Sequence, residues 1–318
     1  MRSFLLLILA TCVFVSCKKE NKNLVDVSHI PVTINIDRFD VDFYSSTPKT
    51  LVDTKKKYPM LFPHNIDSVW INKINDKDEQ ELFSETQKLY QNIDFLNEDL
   101  EELFKHIKYY NPKFKTPKVI TMLTNIDYDN RVVLTDQFLL ISLDCYLGKE
   151  HEFYSDYPGY IRQNNTKNHI VVDVANQIIE KQVSTNRNRK FLDKIIAEGK
   201  KMYLLDSYLP LVSDAVKIGY SEEKLNWAKA SEEDVWRYFI EKDILYSTES
   251  KLNQRFIDLA PFSKFYLSFD NESPGRMGVY IGWQIVRAFM RNNDVSLQAL
   301  MQMNEEEIFK KSKYKPKR

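Results

Sequence analysis

The first ordered pattern in the chain has a period of two. Val32, Ile34 and Ile36 alternate with Thr33, Asn35 and Asp37, the spacing of a half-buried strand. Arg38-Phe39-Asp40 ends it, and Phe43 and Tyr44 are expected to pack back onto the core. Thr47-Pro48 opens a helix through about Tyr58, with proline in the first turn, where its missing N–H leaves no bond unmade. Tyr58-Pro59 and Phe62-Pro63 break that helix. The period then changes. Leu82, Phe83, Leu89 and Tyr90 share one face over 76–92, and Leu96, Leu100, Leu103, Phe104 and Ile107 form a stripe over 94–109. These two helices read as a hairpin stopped by Asn111-Pro112.

A β-rich stretch follows. Residues 118–124, 131–134 and 138–143 are short apolar runs expected to be strands, the first two separated by a turn at 127–130. From Lys167 onward the pattern is helical, with candidates at 168–184, 188–206, 231–244, 249–258, 278–292 and 303–311, and Pro210, Pro261 and Pro274 in the loops between. The order predicts an α+β fold, mostly helical: a small N-terminal sheet followed by a helical bundle, in one globular domain over 29–318.

The residues before that domain have a different logic. Met1-Arg2-Ser3 is a short cationic start, and Phe4 to Val15 is an apolar run too short to span a bilayer comfortably. Ser16 is the small residue that cleavage before a lipid-modified Cys17 requires. Residues 1–16 are therefore expected to be a lipoprotein signal peptide, and 17–28 the lipidated cysteine with a polar tether. The acyl chains on Cys17, palmitate among them, would hold a periplasmic domain to the membrane. Lys18 is not the acidic residue that retains some lipoproteins at the inner membrane, which favours the outer one.

Charge and cysteine content exclude several classes. Lys plus Arg and Asp plus Glu each number 45, so no net field draws the chain to nucleic acid. Cys12 leaves with the signal and Cys17 carries lipid, so only Cys145 of the three cysteines remains and no intrachain disulfide can form. Seven glycines disfavour a turn-rich all-β fold.

Chemistry-bearing motifs are sparse. His151-Glu152-Phe153-Tyr154-Ser155 begins like the zinc motif H-E-x-x-H, but Ser155 replaces the second histidine and Tyr157-Pro158-Gly159 follows at once, so it reads as a loop. His29, His64, His106 and His169 have no partner at ligand spacing. Cys145 ends an apolar strand with no cationic neighbour in sequence, the setting of a buried structural thiol. There is no nucleophile elbow, phosphate loop or paired-cysteine metal motif. Gly199 lies inside a helix at a cost of about 1 kcal/mol relative to alanine, which points to close approach by another backbone. Gly278 and Gly282 have the small-x-x-x-small spacing suited to tight helix packing. Arg276 and Tyr280 are candidates to face a cleft, and Arg38 to pair with a core carboxylate.

Several segments together resemble a known family. Ile36-Asp37-Arg38-Phe39-Asp40, Asp144-Cys145-Tyr146-Leu147-Gly148, Tyr157-Pro158-Gly159-Tyr160-Ile161, Ala197-Glu198-Gly199-Lys200 and the run from Pro274 to Trp283, behind a lipoprotein signal, are similar to GldB, a gliding-motility lipoprotein of the Bacteroidetes. The resemblance implies a cell-envelope protein required for gliding, coupled to type IX secretion. A more remote likeness is to zinc peptidases of the gluzincin type, in which an H-E-x-x-H helix precedes a helix whose Glu-Gly supplies the third ligand. On that likeness Asp173 and Gln177 stand in the two histidine positions, Val174 in that of the catalytic glutamate, and Glu198 survives as a ligand without a site. Asp173, Gln177, Glu198, Arg276 and Tyr280 then outline a vestigial cleft in a degenerate zincin-like fold, with no metal or other cofactor and no catalytic residues. The expected function is non-enzymatic: a lipid-anchored gliding component that binds other envelope proteins. A zinc peptidase-like hydrolase, or a peptide or glycan binder using the same cleft, is the competing expectation.

Overall fold

A computed structural model describes residues 24–63, 66–183 and 189–317. The expected signal, Cys17, most of the tether and His64 lie outside the described residues. The architecture is α+β and mostly helical, as the sequence pattern predicts. The first strand, β1 (Ile36–Arg38), runs into a short helix, α1 (Phe39–Tyr44), and then α2 (Leu51–Lys57), α3 (Asp67–Asn75), α4 (Lys77–Tyr90) and α5 (Asp94–Tyr110). The strands β2 (Lys118–Met122), β3 (Val132–Leu134) and β4 (Phe138–Ser142) complete the sheet. Ten helices follow: α6 (Gly159–Arg162), α7 (Ile170–Gln182), α8 (Phe191–Tyr208), α9 (Asp214–Ile218), α10 (Glu222–Ala230), α11 (Glu232–Glu241), α12 (Lys251–Phe256), α13 (Met277–Asn292), α14 (Leu297–Gln302) and α15 (Glu305–Ser312).

The sheet has the order β1-β2-β4-β3. β1 pairs parallel to β2 with Ile36 opposite Val119, β2 pairs parallel to β4 with Ile120 opposite Leu140, and β3 runs antiparallel to β4 with Val133 opposite Leu140. Parallel neighbours need a crossover, and α1 to α5 supply the one between β1 and β2. Val119, Ile120 and Thr121 are all fully buried, which is why β2 reads as a continuous apolar run and not as an alternation.

The first strand is shorter than its alternation predicts. Ile34 and Ile36 are buried, but the ladder covers only residues 36–38; the register would set Ile34 opposite Pro117, which has no N–H to donate. Phe39, Phe43 and Tyr44 do pack into the core, from one face of α1, where Phe39 and Phe43 stack at 5.2 Å. Six helices, α1, α3, α6, α9, α10 and α14, lie where the sequence pattern gave none, and α1 and α6 are only six and four residues long. α3 buries only Ile74, so it has no apolar stripe to announce it. α9, α10 and α14 are short, yet each is capped: Ser213 accepts from the amide of Val216, Ser221 from Lys224 and Ser296 from Ala299.

The helical half is built on the crossing of α8 and α13. A Cβ on Gly199 would stand 2.3 Å from the Gly282 carbonyl, and one on Gly282 would stand 1.7 Å from the Ile195 carbonyl oxygen. The two backbones touch, and no side chain fits between them. α7, α5 and α15 pack around α8, and α7 also lies across β3, which joins the bundle to the sheet. No helix among the described residues is long and apolar enough to cross a membrane.

The crossing gives a direct test. Gly282→Ala is expected to destabilise the domain by at least about 3 kcal/mol, because backbone cannot yield as a side chain does. Gly159→Ala, with nothing within 4 Å of the new methyl group, should stay within about 0.5 kcal/mol of the parent. Urea unfolding of both variants measures the difference.

Candidate functional site

A cleft of about 350 Å³ opens where the two halves meet. Its walls are the loop before β3 (Tyr128, Arg131), the first turns of α7 (His169, Asp173, Asn176), Glu198 of α8, the end of α9 (Lys217 to Gly219), the residues after α12 (Ile257 to Leu259) and Arg276 at the start of α13. Asp173, Glu198 and Arg276 therefore line one cleft. Gln177 and Tyr280 are not among its lining residues. Gln177 lies one turn beyond Asp173 on α7. Tyr280 is buried, with its hydroxyl donating to Glu232 Oε2 at 3.3 Å. The side chains that accompany Asp173 in the cleft from α7 and its start are instead Asn176 and His169, the latter with Nε2 at 3.6 Å from Asp173 Oδ1.

Asp173 is the polar centre. Arg131 Nη2 donates to its Oδ1 at 2.9 Å, and the Tyr146 hydroxyl to its Oδ2 at 2.8 Å. Burial, together with the Asp173 charge, holds the Tyr146 hydroxyl well above its usual range, so it stays a donor. Arg131 stacks over the Tyr128 ring at 4.4 Å, and its other terminal nitrogen, Nη1, is buried without a hydrogen-bond partner. Burial lowers the pKa of His169, and the guanidinium charges of Arg131 and Arg276 add to that against the opposing pull of Asp173. The ring is therefore neutral at physiological pH.

The segments singled out in the sequence form the layer behind these residues. Asp144 is buried and accepts from the amides of Thr124 and Ile126, the second at 2.7 Å, which folds the loop that delivers Tyr128 and Arg131. Burial pushes its carboxyl up to about 6, although those amides pull the other way. Tyr157 donates to the Ile126 carbonyl at 2.9 Å and Tyr154 to the Asp144 carbonyl at 2.6 Å. Cys145 is buried, with Sγ 3.6 Å from the Asp127 carbonyl, and burial raises its thiol pKa. His151 accepts from the Phe153 amide and starts a single 3-10 turn, Glu152–Tyr154. Arg38 pairs with the fully buried Asp40 at 2.6 Å, where Thr121 and Gln87 also donate.

A charge network that no sequence motif announces stands behind Lys217. Its ammonium lies 3.1 Å from buried Asp206, which also receives the Trp283 indole N–H at 2.9 Å and two bonds from Arg287. Arg287 spans to Asp214 and stacks on the Trp283 ring at 3.7 Å. Glu198 is likewise engaged, with Lys201 at 2.9 Å. Among the described residues no group of three or more His, Cys, Asp or Glu side chains is placed to hold a metal ion.

The family model for the gliding motility protein GldB matches residues 20–316, and the chain belongs to that family. No curated protein and no solved structure matches it.

The buried His169 makes stability depend on pH. Its folded-state pKa lies below the unfolded value, so its contribution is complete above about 6.5 and is lost as the pH falls from there towards the folded value. Asp144 titrates with the opposite sign in an overlapping window, since a raised carboxyl pKa favours folding at lower pH. The observable is therefore a difference: the stability of the parent minus that of His169→Gln should decrease from pH 7 to pH 5. A difference that does not change across that range would mean that folding leaves the imidazole pKa at its unfolded value, and one that increases would mean that the ring is held charged in the folded protein.

Proposed function

We propose that this gliding motility protein is a lipid-anchored, non-enzymatic component of the cell envelope whose cleft binds a protein partner. The observation that carries the reading is the commitment of the cleft's Asp173 and Glu198 carboxylates, and of Lys217, to partners within the protein. Asp173 is held by Arg131 and Tyr146, Glu198 by Lys201, and Lys217 by Asp206. A general base or metal ligand must be released to act, and the release of one member of a buried ion pair costs about 3–5 kcal/mol. The positions that the peptidase likeness assigns to water activation are apolar. Val174 is buried, and so is Ile170, which follows His169 as the glutamate would in a motif that began there.

The anchor reading rests on the sequence. The short apolar run, Ser16 and Cys17 fit a lipoprotein signal, and Lys18 favours the outer membrane. A domain held at the periplasmic face is concentrated where envelope machinery assembles, which suits a link to type IX secretion. On this reading the anchor supplies location and the cleft supplies recognition.

Replacing Cys17 with Ala should leave the domain folded, move it from the membrane to the soluble fraction and abolish colony spreading; continued membrane fractionation would count against lipidation. Metal analysis and a peptide-hydrolysis assay of the purified mature domain test the non-enzymatic part. Zinc at one equivalent, with hydrolysis that a chelator stops, would overturn it.

A further inference from the structure

Resting on the reading of the cleft as a partner site, we infer that it takes a carboxylate of an extended peptide, received by the Arg276 guanidinium. The cleft has a second lobe. A channel of about 480 Å³ runs from it past Pro158, Tyr160, Tyr220, Pro261 and Pro274. The two lobes share Ile218, Gly219, Leu259 and Arg276, so Arg276 stands at their junction. Volumes of this order are those of small-ligand pockets and admit a few residues of peptide.

Arg276 differs from the other cations of the cleft. Arg131 is paired with Asp173, Lys217 with Asp206, and the Lys224 ammonium sits among the carbonyls of Asn271, Glu272 and Ser273. Among the described residues Arg276 has no carboxylate at salt-bridge distance, and its one hydrogen bond is a long one, Nη1 to the Ile218 carbonyl at 3.3 Å. A guanidinium has five N–H donors, and most of these are left to the cleft.

The arginine is also held in place by an unusual backbone. Its φ is 61° and ψ 28°, the left-handed region that long side chains rarely adopt. Gly275 presses on Ala260, where a Cβ would stand 2.2 Å from the carbonyl oxygen, and Tyr220 donates to the Gly275 carbonyl. The Met277 amide donates to Ser263 Oγ at 3.0 Å on the other side. Both flanks are fixed, so the point from which the Arg276 side chain leaves the backbone, and its Cα–Cβ direction, are set before any ligand arrives.

The charge count selects the ligand. The lining includes Asp258, exposed at the rim, and Glu198, already paired with Lys201. Across the two lobes the charges without an opposite partner among the described residues are Arg276, Lys224 and Asp258, a net single positive charge, which matches one carboxylate, whereas a phosphate dianion would leave its second charge unpaired. The outer lobe favours a peptide over a free carboxylate ion, because its proline and tyrosine faces offer apolar contact to the residues next to the charge.

The test is calorimetric titration of the mature domain with a panel of N-acetylated tripeptides in three forms: free carboxylate, carboxy-terminal amide, and amide with an internal glutamate. Acetate and inorganic phosphate are the small-ion controls. The acidic forms should bind at least about tenfold more tightly than the neutral amides, and Arg276→Gln should remove that preference. Arg276→Gly keeps a residue that accepts the left-handed backbone, so it provides a folded variant even where Arg276→Gln unfolds. The free-carboxylate and glutamate forms distinguish a chain terminus from a side chain. Equal binding of acid and amide, unchanged binding by Arg276→Gly, no binding of any peptide at millimolar concentration, or phosphate as the tightest ligand would each overturn the assignment. If the carboxylate preference is absent while Arg276→Gly still abolishes spreading and in-cell crosslinking at the cleft, only the carboxylate assignment falls and the partner-site reading stands.

Discussion

The helical half of the structure depends on one contact, the backbone crossing of α8 and α13 at Gly199 and Gly282. Neither position has room for a Cβ, so the two helices approach as closely as main chains can. That contact fixes the rotation of α8 about its axis. Glu198, next to Gly199, turns away from the crossing and into the cleft, while Lys200 on its other side is buried against Glu305 at 2.9 Å and the Met303 carbonyl. It also fixes where α13 begins. The helix can start no earlier than Met277, because the chain before it must turn through Gly275 and Arg276 against Ala260. Two lining residues of the cleft, Glu198 and Arg276, are therefore placed by a packing constraint with which neither side chain makes contact.

Around this crossing the core carries an unusual load of charge. Asp206, Lys217 and Arg287 share one network, Lys200 and Glu305 form another, and Arg131 with Asp173 a third. Such pairs add little net stability relative to apolar side chains of the same shape, since desolvation offsets most of their attraction. Their effect lies in the cost of misplacing a partner, about 3–5 kcal/mol for each stranded charge, which penalises alternative packings of short helices. That penalty matters here because α9, α12 and α14 are five or six residues long and have little intrinsic helical stability. α9 in particular is tied down at both ends of the network, through Asp214 to Arg287 and through Lys217 to Asp206.

Much of this fold is legible in the sequence, and the parts that are not share a cause. The stripe of α5 and the apolar runs of β2 and β4 announce themselves because periodicity reports burial directly, and Leu100, Leu103, Phe104 and Ile107 are indeed fully buried. Gly199 and Gly282 are legible as a close approach because glycine inside a helix needs a reason. α9, α10 and α14 escape a reading of periodicity, for they are too short to complete an apolar face, although Ser213, Ser221 and Ser296 mark their starts as caps. In the cleft the register on α7 is the telling case. Asp173 faces it together with His169 one turn before and Asn176 one turn after, and Gln177 is rotated off that line. Sequence spacing gives which residues are neighbours on a helix; it does not give which of the two neighbouring rows, i+3 or i+4, is turned towards the gap.

The arrangement also explains why a residue outside the Asp173 cluster carries recognition. Asp173 receives two hydrogen bonds within the protein, so a ligand gains from it only what it displaces, and displacing the Arg131 or Tyr146 bond leaves a buried polar group unpaired. His169 is neutral and buried, which makes it a weak partner for charge. Arg276 is the reverse. Its guanidinium is partly exposed and without a carboxylate among the described residues, and the backbone that carries it is held by flanking contacts that a ligand leaves untouched. A ligand that meets it replaces water and one long hydrogen bond, and leaves no buried charge of the protein unpaired. The cleft thus presents a wall of paired charges beside one guanidinium that has no carboxylate among the described residues, and a wall of that kind discriminates by the number of charges a ligand brings.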